Sequence, residues 1–171
     1  AFYSLSLHDA LPISVGAAKR FARGSVSPSP DFGPAGTLAV HLAIIPFVRG
    51  GVYGSYDFAK LSNGELRHFV AGGIRGKFLS PIPERPFRTW VFAGLGYTRS
   101  FDGLGSGGFV EVPVGVGASY ELRKPFQLSA ELGARFGVGF HGSSYDSAVP
   151  RGFVGSEFAA LFLTVGLTID R

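Results

Sequence analysis

The sequence predicts an all-β chain folded as an eight-stranded antiparallel up-and-down transmembrane β-barrel. Three observations carry this reading. Apolar residues recur at every second position in about eight segments, the links between segments alternate between long and short, and the polar faces are built largely from small residues. A two-residue period marks strands that bury one face and not the other. No helical period competes with it anywhere along the chain.

The first strand falls around Val15 to Ala22. Residues 36–45, "GTLAVHLAII", set Leu38, Val40, Leu42 and Ile44 against Thr37, Ala39, His41 and Ala43. Residues 48–58 oppose Val48, Val52, Tyr56 and Phe58 to Arg49, Tyr53, Ser55 and Asp57. Residues 66–79 are noisier, with Val70, Ile74 and Phe78 opposite Arg67, Arg75 and Lys77. Residues 89–99 alternate Val91, Ala93, Leu95 and Tyr97 with Trp90, Phe92, Gly94, Gly96 and Thr98. Both sets are largely apolar, so the pattern leaves the facing of this strand open.

The last three strands are cleaner. Residues 111–122, "EVPVGVGASYEL", place Val112, Val114, Val116, Ala118, Tyr120 and Leu122 on one side, with Glu111, Pro113, Gly115, Gly117, Ser119 and Glu121 on the other. Pro113 is the awkward member, because a mid-strand proline deletes a ladder hydrogen bond unless a bulge accommodates it. Residues 126–141 set Leu128, Ala130, Leu132, Ala134, Phe136, Val138 and Phe140 against Gln127, Ser129, Glu131, Gly133, Arg135, Gly137 and Gly139. Residues 158–170 set Leu161, Leu163, Val165, Leu167 and Ile169 against Phe162, Thr164, Gly166, Thr168 and Asp170.

The links 23–36, 60–65, 102–108 and 142–156 are polar and rich in Gly, Ser and Pro. Between them lie tighter links at Pro46, at 80–87 and at 123–125. A meander with one elaborated rim has this long-short rhythm.

Alternation alone does not say which face is wet. A soluble lipocalin-like ligand-binding barrel would turn its apolar face inward, and a membrane barrel turns it outward. A strand face bathed in water would carry Lys, Glu, Thr and Arg at most positions, yet about half of the polar-face positions here are Gly, Ala or Ser. Small side chains suit the crowded interior of an eight-stranded barrel. The apolar faces are aliphatic in the middle and aromatic toward the ends. Tyr56, Phe58, Tyr97, Phe101, Phe109, Phe136, Phe140 and Phe158 fall near the long-loop rim, and Phe47, Phe78, Tyr120 and Phe126 near the short-turn rim. Two such belts are the expected interfacial girdles. This facing sends Arg49, Arg67, Arg75, Lys77 and Arg135 inward with Asp57, Glu111, Glu121, Glu131 and Asp170, a set able to pair and plug the lumen.

Composition agrees. Of 171 residues 46% are hydrophobic and only 16% charged, against about 25% in ordinary soluble domains. No apolar run approaches the ~20 residues of a membrane helix. The chain has no cysteine, which removes disulfides and thiol metal sites and suits an oxidising compartment. The net charge is +4, but the basic residues are scattered, so no nucleic-acid partner is expected. Two regions are expected: residues 1–14, an artefact or disordered leader, and 15–171, the barrel domain. Residues 5–13, "LSLHDALPI", resemble a translated sequencing-adapter oligonucleotide, and residues 1–14 lack the pattern of a signal peptide.

From Val15 to Arg171 the chain resembles the small eight-stranded outer-membrane barrels of Gram-negative bacteria, the group typified by OmpA and OmpX. The resemblance rests on strand pattern, loop alternation and a last strand, "LFLTVGLTID", similar to the signal read by the barrel-assembly machinery. That group's last strand usually ends in an aromatic residue, whereas this chain ends in Arg171. The resemblance implies residence in the outer membrane, with membrane lipids and the assembly machinery as partners. A monomer is expected.

An enzymatic reading has two candidate clusters. "KLSNG" offers Ser62 and Asn63 with Lys60 where an outer-membrane lipid A deacylase carries histidine, and "HGSSYD" offers His141 and Ser143. Neither supplies a nucleophile, a base and a group orienting that base. His8 and His68 are isolated and set no metal spacing. The sequence therefore points to a non-enzymatic integral barrel with a structural or surface-interaction role through its long loops. It assigns no catalytic, cofactor or metal residue.

Overall fold

The structure is a computed structural model that describes residues 10–21, 33–60, 66–81, 86–103, 105–142 and 158–170. Eight strands follow in order: β1 (Ala10–Phe21), β2 (Gly33–Ile45), β3 (Val48–Lys60), β4 (Leu66–Leu79), β5 (Phe87–Asp102), β6 (Gly105–Arg123), β7 (Phe126–Gly142) and β8 (Phe158–Asp170). Each strand pairs antiparallel with the next. β1 also pairs with β8, from Ala10 against Asp170 to Phe21 against Ala159, and closes the barrel. Closure is what hydrocarbon demands, since an open edge would leave backbone groups unpaired where no water can reach them. No helix among the described residues is long and apolar enough to cross a membrane.

The facing is the membrane one. Leu38, Val52, Ile74, Val91, Val116, Leu132 and Leu163 project from the outer wall, about half exposed each, while Asp57, Arg75, Glu111, Glu131 and Arg135 are buried inside. Leu132 and Leu163 are cross-strand neighbours on that wall, not partners across a dry centre. The soluble alternative, with an apolar interior and a polar exterior, is thereby overturned.

Aromatic side chains bound the aliphatic band at both ends. Tyr56, Tyr97, Phe101 and Phe136 are exposed toward the long-loop rim, joined by Phe21. Phe47, Phe78, Tyr120 and Phe126 are exposed toward the short-turn rim, joined by Phe87, whose ring meets Tyr120 edge-on with centroids 5.0 Å apart. Phe109 is a correction. It is 1% exposed and points inward, because it lies two residues before Glu111 with the alternation unbroken and so shares that residue's face. The side chains of Phe140 and Phe158 lie outside the described residues.

Three further differences have local causes. The first strand starts at Ala10, not Val15. Ile13 and Val15 lie on one outward face, and Ala10 to Ser14 find partners on β8 and partly on β2, so the end of the segment set aside in the sequence joins the barrel. Segment 102–108 is not a long loop: β5 and β6 pair as far as Asp102 with Gly105, and glycine richness there serves a hairpin strand. Pro113 sits without a register shift. The β5–β6 ladder lapses between the pairs Ala93–Val114 and Gly96–Glu111, while Pro113 still pairs with Arg135 on β7. The missing N–H is thus absorbed by a short gap on one side of the strand.

Candidate functional site

An eight-stranded barrel encloses a space just wide enough for side chains, and here the lumen is where the chemistry collects. Period-two alternation delivers one inward residue from each strand at each level. The charged inward residues gather in three clusters.

In the half of the lumen toward the long loops, Asp57 of β3 takes two arginines. Arg20 of β1 donates from Nε at 3.0 Å and Nη2 at 2.8 Å, and Arg135 of β7 donates from Nη1 at 3.0 Å. Arg20 also lies over the ring of Phe69, 3.7 Å from its centroid, and Arg135 lies over Phe162 at 4.8 Å. All three charged groups are almost completely shielded.

Glu111 of β6 meets hydroxyls. Tyr53 Oη donates to it at 2.9 Å, and Thr98 Oγ1 donates to its other oxygen. Glu111 is 0% exposed.

Toward the short-turn rim, Glu131 of β7 takes Arg75 Nη1 at 2.8 Å, Lys77 Nζ at 2.7 Å and Trp90 Nε1 at 3.3 Å. Arg75 Nε donates to His41 Nε2 at 3.3 Å. Lys77 sits over the Trp90 ring at 4.5 Å, and Arg75 over Phe92 at 4.9 Å.

The large rings fit because glycines oppose them. Trp90 is paired with Gly117, Phe92 with Gly115 and Phe162 with Gly133. A Cβ on Gly117 would stand 2.4 Å from the Trp90 ring, and one on Gly133 2.6 Å from Phe162. Glycine is the only residue that leaves room for these rings inside the wall.

The inward charges expected from the sequence are found there. Arg75, Lys77, Arg135, Asp57, Glu111 and Glu131 are buried, and Arg49, Arg67 and Glu121 are half-buried on inward positions. The Asp170 side chain lies outside the described residues. Arg20 was missed, although the outward run Ile13, Val15 and Ala17 gives it the opposite parity. The open choice for 89–99 resolves with Trp90 and Phe92 inward; the signal was the facing glycines, which show only once the register is known.

The enzymatic clusters do not assemble among the described residues. Ser62, Asn63 and Ser143 lie outside them, and Lys60 is exposed on the rim. His141 hydrogen-bonds Tyr97 Oη through Nε2 at 2.9 Å and the Gly139 carbonyl through Nδ1 at 3.1 Å, so both ring nitrogens have partners and one of them holds a rim aromatic. His68 does the same for Tyr56, with 2.7 Å between Nδ1 and Oη. No group of three or more metal-ligating side chains is found among the described residues.

No family model and no curated protein matches the sequence. Solved structures do match. Neisserial surface protein A is 14% identical, over 96% of this chain and 97% of that one, with a TM-score of 0.69. A major outer membrane protein from Thermus thermophilus is 16% identical, over 94% and 99%, with a TM-score of 0.54. Ail, the attachment invasion locus protein of Yersinia pestis, solved with the heparin analogue sucrose octasulfate, is 15% identical over 95% and 100%, at 0.50. The shared fold and the apolar outer wall define the class: this is an integral β-barrel of the outer-membrane type.

Proposed function

We propose that the protein is a non-conducting, non-enzymatic barrel that anchors interaction loops at the cell surface. The observation that carries the reading is the Arg20–Asp57–Arg135 cluster, which joins β1, β3 and β7 across the lumen beneath the long-loop rim. Buried charges so paired are held in place by mutual need, since separating them would strand each in a poorly solvated interior. Phe69, Phe109 and Phe162 are buried on the same inward faces, so the interior offers ions a closed route. Surface interaction then falls to the long connections, residues 22–32 and 143–157, which lie outside the described residues. Among the similar structures, one is named a surface protein and another an attachment invasion locus protein, so this frame carries surface duties elsewhere. Membrane lipids around the apolar band, insertion by the barrel-assembly machinery and a monomeric state complete the proposal.

The test is conductance. Purified barrel inserted into planar bilayers should show no stepwise current above the leak of the bare membrane, over a range of voltages and in both salt directions. Stable, reproducible unit steps would overturn the closed-lumen reading.

A further inference from the structure

On the outer wall, toward the short-turn rim, an apolar trough of about 700 Å³ crosses from β4 to β8. The strand register explains it. One row of cross-strand neighbours, Phe78, Val91, Val116, Leu132 and Leu163, stands exposed as a bulky bank. The next outward row toward the rim runs through Thr89, Ala118 and Ala130, whose small side chains make the floor, with Ser80 at its end donating its N–H to the Thr89 carbonyl. The row after that, Phe87, Tyr120, Leu128 and Leu167, raises a second bank. Ser80 directly follows β4, Thr89 is the third residue of β5 and Ala130 the fifth of β7, so the floor starts at the rim and climbs toward mid-wall.

Four strand spacings separate β4 from β8, about 19 Å, and at a tilt near 45° such a row climbs about 13 Å, close to the ~15 Å depth of one leaflet. The volume lies within the ~300–1,000 Å³ of sites that enclose a small ligand. The trough is continuous with the wall that faces lipid, and an unfilled void there would forfeit dispersion contacts, so hydrocarbon fills it. Its ends differ in polarity: Ser80 and Thr89 stand at the rim, and aliphatic Leu132 and Leu163 at the deep end. A phospholipid matches this gradient, where the apolar band of a second barrel does not. We infer that the trough binds one phospholipid of the leaflet at the short-turn end, with an acyl chain lying on Ala118 and Ala130 and Thr89 Oγ1 donating to the ester carbonyl at the rim. This deepens the lipid contact proposed above and rests on the wall facing lipid; it is independent of whether the lumen conducts.

The experiment uses the whole barrel in dodecyl maltoside with phosphatidylethanolamine as the probe. Native mass spectrometry of a titration should show a single retained lipid per barrel. Ala118→Leu and Ala130→Leu, which fill the floor, should each weaken retention by about tenfold or more through lost hydrocarbon burial. Thr89→Val should weaken it by about threefold to tenfold, the worth of one hydrogen bond. Ala93→Leu, exposed on the far side of the Val91 bank, should leave it unchanged. A second readout needs no variant: the same lipid brominated on one chain should quench Trp90, the single tryptophan, whose ring lies behind Gly117 in the same stretch of wall, and the quenching should saturate at one lipid per barrel. Insertion of the unaltered barrel into phospholipid vesicles reports the lipid-facing wall on its own, so failure of the site is told apart from failure of the wall. Quenching that grows without saturating, floor or Thr89 variants that hold lipid as tightly as the unaltered barrel, or a dimer in place of the lipid adduct would each overturn the site.

Discussion

Arg20 closes on Asp57 as a fork, Nε to Oδ1 at 3.0 Å and Nη2 to Oδ2 at 2.8 Å, with both side chains almost wholly buried. The pair ties β1 to β3 through the lumen, and Arg135 adds a third strand by sharing Oδ2. Asp57→Asn keeps the shape but leaves two arginines without their counter-charge. Breaking a buried pair this way costs about 3–5 kcal/mol. Urea unfolding from vesicles, read by Trp90 as the single tryptophan, measures it. Replacing Asp57, Arg20 and Arg135 together by Leu, Met and Met should recover most of the loss, because apolar residues of similar volume carry no desolvation cost. A loss under ~1 kcal/mol in Asp57→Asn would show the cluster to be structurally idle.

Leu132 stands 55% exposed on the outer wall, paired with Val116 and Leu163 near the middle of the aliphatic band. Leu132→Arg puts a charge into hydrocarbon and should cost about 2–4 kcal/mol and impair insertion. Gln127→Glu, at an inward position, should change little, since its Oε1 still accepts from Ser119. Membrane yield and urea midpoints of the two variants separate the outcomes. Similar behaviour of both would contradict the assigned facing.

Gly51 and Gly36 make a paired test of curvature. A Cβ on Gly51 would stand 1.8 Å from the Val40 carbonyl oxygen, a backbone atom that cannot step aside. On Gly36 the nearest atom would be 3.8 Å away. Gly51→Ala should therefore destabilise by about 1–3 kcal/mol, the usual penalty of overpacking. Gly36→Ala should be neutral or stabilise by up to ~1 kcal/mol by stiffening the unfolded chain. The same unfolding assay decides, and a reversed order would mean the wall is drawn with the wrong glycines inside.

These variants also show what the sequence made legible. The facing of β6, β7 and β8 was readable because one face is aliphatic and the other small or charged, a difference that survives without knowing any neighbour. Glu111, Glu131 and Arg135 followed from that parity alone. β5 was not readable, since Trp90 and Phe92 look as oily as Val91 and Leu95. Their inward turn depends on Gly117 and Gly115 lying opposite, a fact of register rather than of local pattern. The pairing of charges was likewise beyond reach: parity places Arg75, Lys77 and Glu131 in the lumen, but only the stagger between strands decides which cation meets which acid. Segment 102–108 was misread because glycines that thin a strand also thin a loop.

The orientation of the wall is tested most directly by single-cysteine labelling, which the cysteine-free chain permits without background. A fluorophore on Leu132→Cys or Leu163→Cys, in barrels reconstituted with nitroxide-bearing lipids, should be strongly quenched by the lipid chains. The same label at Ser129→Cys, a buried inward position three residues before Leu132 on β7, should be protected from lipid quenching. Protection at Leu132 and Leu163 with quenching at Ser129 would contradict an apolar face set against lipid, and with it the membrane-spanning reading of this fold.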